Sequence, residues 1–170
     1  MPISLHSITG MGAESRLAIK VPLDRYVRSA VLCHEVQRTL VVLIFSGVLE
    51  RFPNLKVVSA ENEVGWLPFF LQKLDQAQEE YRYLYPAPLK LRPTEYFRRQ
   101  VFATFIDDPV GVATREFIGV ENIMWSSDYP HTAAIWPRSQ EFIKETFSGL
   151  SEANRRKIVH DTAARVYRIE

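Results

Sequence analysis

At 170 residues, with 46% hydrophobic and 24% charged residues, the chain has enough apolar material for one packed domain and reads as a soluble globular protein. A net charge of +1 gives neither a nucleic-acid footprint nor an acidic tail, and the longest apolar run, residues 40–45, is far too short to span a membrane. The single cysteine, Cys33, excludes an internal disulfide and a thiolate zinc cluster, so a reducing, cytoplasmic setting is expected and any metal must use histidine and carboxylate ligands.

No signal peptide is expected at the N-terminus, which opens directly on a strand-like run, residues 3–8. A glycine-containing loop leads to a long helical region from about Pro22. Its second half is periodic, with Val41, Ile44, Phe45, Val48, Leu49 and Phe52 on one face, and it must stop by Pro53. Residues 55–60 form a second, β-branched strand. Glu61, Asn62 and Glu63 end it and open another helix, whose apolar face runs through Leu67, Phe70, Leu71, Leu74, Gln78, Tyr81 and Leu84. The proline-rich stretch 85–93 is loop, and a short helical turn from Thr94 precedes a third strand at 101–106. Asp107, Asp108 and Pro109 turn into a helix that runs through Ile118 and is closed by Gly119. The last strand is 122–126, followed by helices at about 137–147 and from Ser151, and a final turn at 161–167.

This β-α order, repeated four times with apolar strands, predicts an α/β fold with a parallel sheet covered by helices. In a parallel sheet the strand ends bearing His6, Glu61, Asp107 and Asp128 all point to the face where such proteins place their chemistry. Asp128 is the most informative. It lies in Ser-Ser-Asp-Tyr-Pro-His (126–131), where an apolar strand empties into a loop, a position suited to a metal ligand or to a cap of the next turn. With 7 glycines and no Gly-rich phosphate loop after any strand, a nucleotide site is not expected. His34-Glu35 fails as a zinc-protease motif because Arg38 stands where the second histidine would be. Glu63 reads as a helix-start carboxylate and Asp107-Asp108-Pro109 as a capping signal. His160 reads as structural, and Trp66, Phe69, Phe70 and the tyrosines of 81–85 as cover for the sheet or an interface.

Several blocks resemble one family in the same order: residues 47–58 (G-V-L-E-R-F-P-N-L-K-V-V), 61–68 (E-N-E-V-G-W-L-P), Leu74-Asp75, 95–99, 122–131, Trp136-Pro137 with Ser139, and 163–167. They resemble the amidohydrolase-2 group of metal-dependent hydrolases, which includes aminocarboxymuconate-semialdehyde decarboxylase and related aromatic-acid decarboxylases. The resemblance implies an eight-stranded (β/α) barrel of about 250 residues or more, of which residues 1–170 would be one partial domain, the C-terminal half, with strands five to eight. It implies a divalent metal, zinc by expectation, held by His6 and Asp128. It implies catalytic roles for Asp128 and for Glu61, which stands where many members have histidine. It also implies substrate contacts from Trp66 and from His131, which could equally orient the loop.

The sequence departs from the family in three places: the first-strand His-x-His pair is absent, Glu61 stands where many members have a catalytic histidine, which leaves the reaction type open, and Thr162 replaces an asparagine. Two ligands are fewer than a catalytic zinc uses, so weak metal binding and little turnover are expected of this chain, which reads as incomplete. Three functions follow. One is a hydrolase or decarboxylase for a small cyclic or aromatic carboxylate, complete only with an N-terminal half. Another is a non-catalytic half-barrel forming a homo-oligomer through open sheet edges. The third is a fragment with no role of its own.

Overall fold

A computed structural model of the protein describes residues 1–6, 26, 29–84 and 89–169. Four parallel strands, β1 (Ile3–Leu5), β2 (Val57–Ser59), β3 (Val101–Phe105) and β4 (Ile123–Trp125), form one sheet in chain order. Between β1 and β2 lie helices α1 (His34–Phe45) and α2 (Val48–Arg51); between β2 and β3 lie α3 (Leu67–Tyr81) and α4 (Pro93–Gln100). Short helices α5 (Pro109–Ala113) and α6 (Arg115–Ile118) connect β3 to β4. After β4 come α7 (Ser139–Thr146), α8 (Glu152–Arg156), a π-helical turn (Lys157–Asp161) and α9 (Thr162–Tyr167). The alternation of parallel strands and helices is the one the sequence predicts.

The sheet is buried unequally on its two faces. Val57, Val101, Ala103, Phe105 and Ile123 point into the main core, where α1 contributes Val36, Leu40 and Ile44 and α3 contributes Leu67, Phe70, Leu71 and Leu74. The alternate strand residues Val58, Phe102 and Met124 form a smaller cluster on the other face, closed by Val166 and Ala163 of α9. The period of two in a strand makes this division unavoidable. Buried amides tie down the N-terminal ends of the strands: Gln100 donates to the carbonyls of Phe52 and Leu55, and Asn122 to those of Arg98 and Val101.

The elements depart from expectation where backbone geometry overrides periodicity. The helix expected up to residue 52 divides at Gly47, whose φ of 74° no continuing helix can hold, and Phe52 is exposed. The part of that region before residue 29, Tyr26 aside, and residues 7–8 of the first expected strand lie outside the described residues. Glu61 and Glu63 do not open a helix: both have positive φ, and α3 begins only at Leu67. Tyr81 and Leu84 extend the apolar pattern of α3 on paper but are exposed. The helix after Pro109 breaks at Thr114. Ser151 caps as expected, accepting from the N–H of Asn154. Among the described residues no helix is long and apolar enough to cross a membrane.

Candidate active site

The C-terminal ends of the parallel strands open into loops that carry the predicted residues. His6 follows β1 directly, Glu61 lies just past β2, Asp107 just past β3, and Asp128 just past β4. Three of the four converge. His6 Nε2 is 2.8 Å from Glu61 Oε2, and the ring N–H of His131 donates to Asp128 Oδ1 at 2.7 Å. Glu61, Asp128 and His131 each offer a ligand atom, and these atoms all lie within 4.8 Å of one another. His6 joins this group through Glu61. Asp107 is exposed and acts only at a distance.

The backbone is bent to bring these groups together. Asp128 (φ 54°) and Glu61 (φ 58°) occupy the left-handed region that side chains rarely adopt, as does Glu63 (φ 56°). Such strain concentrates where surrounding structure insists on a geometry, commonly at functional sites. The Glu61 turn is pinned by its N–H donating to Thr104 Oγ1 of β3 at 2.8 Å. The Asp128 turn is closed by the N–H of His131 donating to the Asp128 carbonyl at 2.9 Å, so the carboxylate itself is spent on the imidazole rather than on a cap.

Burial sorts the roles. The Asp128 side chain is 7% exposed and that of His131 66%, so a nearly buried anion is covered on the solvent side by an imidazole. The Asp128 hydrogen bond, then its charge and that of Glu61, raise the His131 pKa above its ordinary value. Among the described ion pairs, Glu61 and Asp128 are met by histidines and not by lysine or arginine.

Asp108 is the capping residue the sequence predicts, and it does more. Its Oδ1 accepts from the Gly111 N–H at 2.7 Å, while Oδ2 accepts from the N–H groups of Val64 (2.7 Å) and Gly65 (2.5 Å). One carboxylate thus starts α5 and holds the turn that carries Glu61. Gly65 is needed there, because a Cβ would sit 2.8 Å from Asp108 Oδ1.

Glu63 is the residue sequence reasoning passed over. It faces the loop after β3, where its carboxylate accepts from the Ile106 N–H at 3.3 Å. Burial pushes its pKa up to about 7; the Ile106 hydrogen bond opposes this, and the charges of Asp108, Asp107 and Asp128 add to it. A carboxyl poised near neutrality can hold or release a proton beside the Asp128 cluster. The only sequence signal was its place two residues after Glu61, which a helix start explains as well.

Trp66 lies half-buried against the core, its indole N–H shared between the carbonyls of Asn62 (2.8 Å) and Glu63 (3.0 Å) and its ring edge-on to Phe70. It braces the Glu61–Glu63 turn from behind. The exposed aromatics flanking His131 are Tyr129 and Trp136, paired edge-to-face with ring centroids 5.1 Å apart.

The donor set of two carboxylates and an imidazole, with histidines as the partners of both anions in the described ion pairs, fits a divalent cation. The sequence resemblance put two ligands in this chain, His6 and Asp128; the geometry groups three donors and shares only Asp128 with that pair.

The chain belongs to the amidohydrolase family, whose model matches residues 2–169. Among solved structures it is similar to 5-carboxyvanillate decarboxylase from Sphingomonas paucimobilis, with 29% identity and a TM-score of 0.79 over 100% of this chain and 50% of that one. An amidohydrolase from Mycobacterium avium subsp. paratuberculosis is 26% identical, with a TM-score of 0.75 over 98% of this chain and 42% of its own. A 5-carboxyvanillate decarboxylase from Novosphingobium aromaticivorans, solved with manganese and 4-hydroxy-3-methoxy-5-nitrobenzoic acid, shares the fold at 17% identity, with a TM-score of 0.75 over 99% of this chain and 48% of its own. A search of curated proteins finds no match. The chain spans about half the length of the structures it matches, and its four strands are half of a (β/α)8 barrel.

Proposed function

We propose that this chain carries part of a divalent-metal site for decarboxylating a small aromatic carboxylate. The observation that carries the reading is the convergence of Glu61, Asp128 and His131 within 4.8 Å at the C-terminal ends of the strands, where barrel enzymes do their chemistry. The 29%-identical decarboxylase favours decarboxylation over hydrolysis. Residues 1–170 would then be one domain, the strand five-to-eight half of the barrel, and a second half barrel would finish the site. Among the described residues β1 and β4 each pair on one side only, which leaves edges for it. Manganese in a structural relative makes it at least as good a candidate as zinc. The single cysteine fits a cytoplasmic setting.

Asp128, Glu61 and His131 would hold the ion, and His6 would orient Glu61 through their 2.8 Å hydrogen bond. When bound, the ion supplies a positive charge to fix the substrate carboxylate. The protein's own groups do the rest. Replacing a departing carboxylate on a ring carbon needs a proton, and Glu63, outside the ligand set, is the group beside the site that would carry one near neutral pH. Tyr129 and Trp136 offer flat apolar surface at the mouth, more exposed than Trp66, which serves the turn.

The test is to incubate the purified chain with manganese and 5-carboxyvanillate or 2,6-dihydroxybenzoate and follow loss of the carboxyl group. Slow, metal-dependent conversion that Asp128→Asn abolishes is expected. Absence of both conversion and metal-dependent substrate binding would overturn the reading.

A further inference from the structure

Between the two glutamates of the candidate site stands a residue that offers it no ligand atom. Asn62 is 1% exposed, whereas Glu61 and Glu63 on either side of it are half-buried. Its amide nitrogen donates to the Ala60 carbonyl at 2.8 Å and reaches Ser59 Oγ at 3.3 Å and the Leu5 carbonyl at 3.4 Å. Two carbonyl oxygens face this atom, so the NH2 end of the amide is the end that fits there. The Asn62 backbone carbonyl in turn accepts the Trp66 indole N–H at 2.8 Å. Side chain and backbone are both held.

Where these acceptors lie matters more than their number. β1 and β2 pair in register at Leu5 and Ser59, and the ladder closes with the Ala60 N–H donating to the Leu5 carbonyl at 2.8 Å. Past that bond the chain leaves the sheet through two left-handed residues, Glu61 (φ 58°) and Glu63 (φ 56°). Glutamate does not choose that region unaided, so its surroundings must impose it. Thr104 fixes the turn to β3, and Asp108 fixes it to the start of α5. Asn62 is the hold that reaches β1, where Leu5 directly precedes His6. The 2.8 Å contact between His6 and Glu61 spans the same two strand ends.

We propose that Asn62 is a positioning residue of this site: its buried amide clamps the end of β2 to the end of β1, turning Glu61 toward His6 and Asp128 and Glu63 toward the loop after β3. The proposal rests on the reading of Glu61 as a ligand, and it gives the turn a cause that acts before any ion arrives. A buried amide is costly unless its hydrogen bonds are made, and here its donors go to the strand ends. An apolar side chain at position 62 would fill the space and leave both carbonyls without this donor. The turn would then relax to negative φ, and the two carboxylates would lose their common direction.

The experiment is NMR of the isotope-labelled, metal-free full chain. A residue at positive φ brings its own N–H and Hα close together, which gives a strong intraresidue NOE that extended residues lack. Such signals are expected at Glu61 and Glu63, with NOEs from the Asn62 side-chain N–H protons to Leu5 and Ala60. Both glutamate signals should be lost in Asn62→Ala and kept in Leu74→Ala, a buried α3 variant that lowers stability without touching the turn. Should Asn62→Ala not fold by circular dichroism, Asn62→Ser gives the same comparison, because one hydroxyl proton serves one acceptor. Manganese affinity should fall about tenfold or more in the same variant, the usual cost of removing a group that orients a ligand. Glutamate signals that persist in the folded Asn62 variant, equal loss in Leu74→Ala, or manganese binding indifferent to residue 62 would each overturn the proposal. A wild-type chain that shows the signals and binds no manganese would overturn the metal reading instead, and the NOE comparison would still decide what Asn62 does.

Discussion

At the scale of single residues, the candidate site rests on two carboxylates doing unlike jobs. Asp108 is almost buried and accepts three backbone N–H bonds, two of them from the turn that carries Glu61. Asp108→Ala removes an N-cap and strands buried donors, so a loss of about 2–4 kcal/mol in denaturant melts is expected. Metal binding should weaken with it although Asp108 is not among the grouped donors; a loss under 1 kcal/mol would show that the turn is held by something else. Glu61 carries backbone strain at φ 58°. Comparing Glu61→Gly with Glu61→Ala isolates that strain, since both delete the carboxylate. Glycine should be the more stable by about 1 kcal/mol, because only it enters the left-handed region freely; equal stability would mean the turn relaxes. Sequence reading could place His6, Glu61 and Asp128 at one end of the sheet because strand ends in a parallel sheet have a known direction, and the cap at Asp108 because Asp before Pro109 is a helix-entry signal. It misread Glu63, since a carboxylate after a strand and before an apolar run looks like a helix start. Only the positive φ at residues 61 and 63 turns it toward the site.

At the scale of elements, α4 is the hub between helices and sheet. Its Tyr96 is fully buried, donates its hydroxyl to Glu50 of α2 at 2.5 Å and accepts from the N–H groups of Lys90 (2.9 Å) and Leu91 (3.3 Å). The Tyr96 hydrogen bond, then Lys90, hold the Glu50 carboxyl below its usual range. A carboxylate with a depressed folded-state pKa contributes stability above its unfolded pKa and loses it as pH falls through the folded value. Tyr96→Phe should therefore cost about 1–2 kcal/mol at neutral pH and flatten the acid side of the stability profile below about pH 4.5. An unchanged acid slope would contradict the assignment. Strand positions and the α3 stripe from Leu67 to Leu74 were legible as apolar runs of the right period. The helix breaks at Gly47 and Thr114 were not, because the apolar pattern runs through both and the interruption is a matter of backbone angle.

At the scale of the whole molecule, the sheet joins strands from distant parts of the chain so that residues 6, 61, 128 and 131 share one end. The fold class was legible because four apolar strands separated by helices admit few other arrangements. Which donors share a site was not, because two loops had to be folded against each other first. If this end of the sheet holds a divalent ion, calorimetric titration of the chelator-stripped chain with manganese and zinc will detect it. Saturable binding of about one ion is expected, as for a catalytic site with three protein ligands and an open position. It should fall at least tenfold in each of Glu61→Ala, Asp128→Ala and His131→Ala. No binding, or binding that survives all three substitutions, would contradict the metal-site reading.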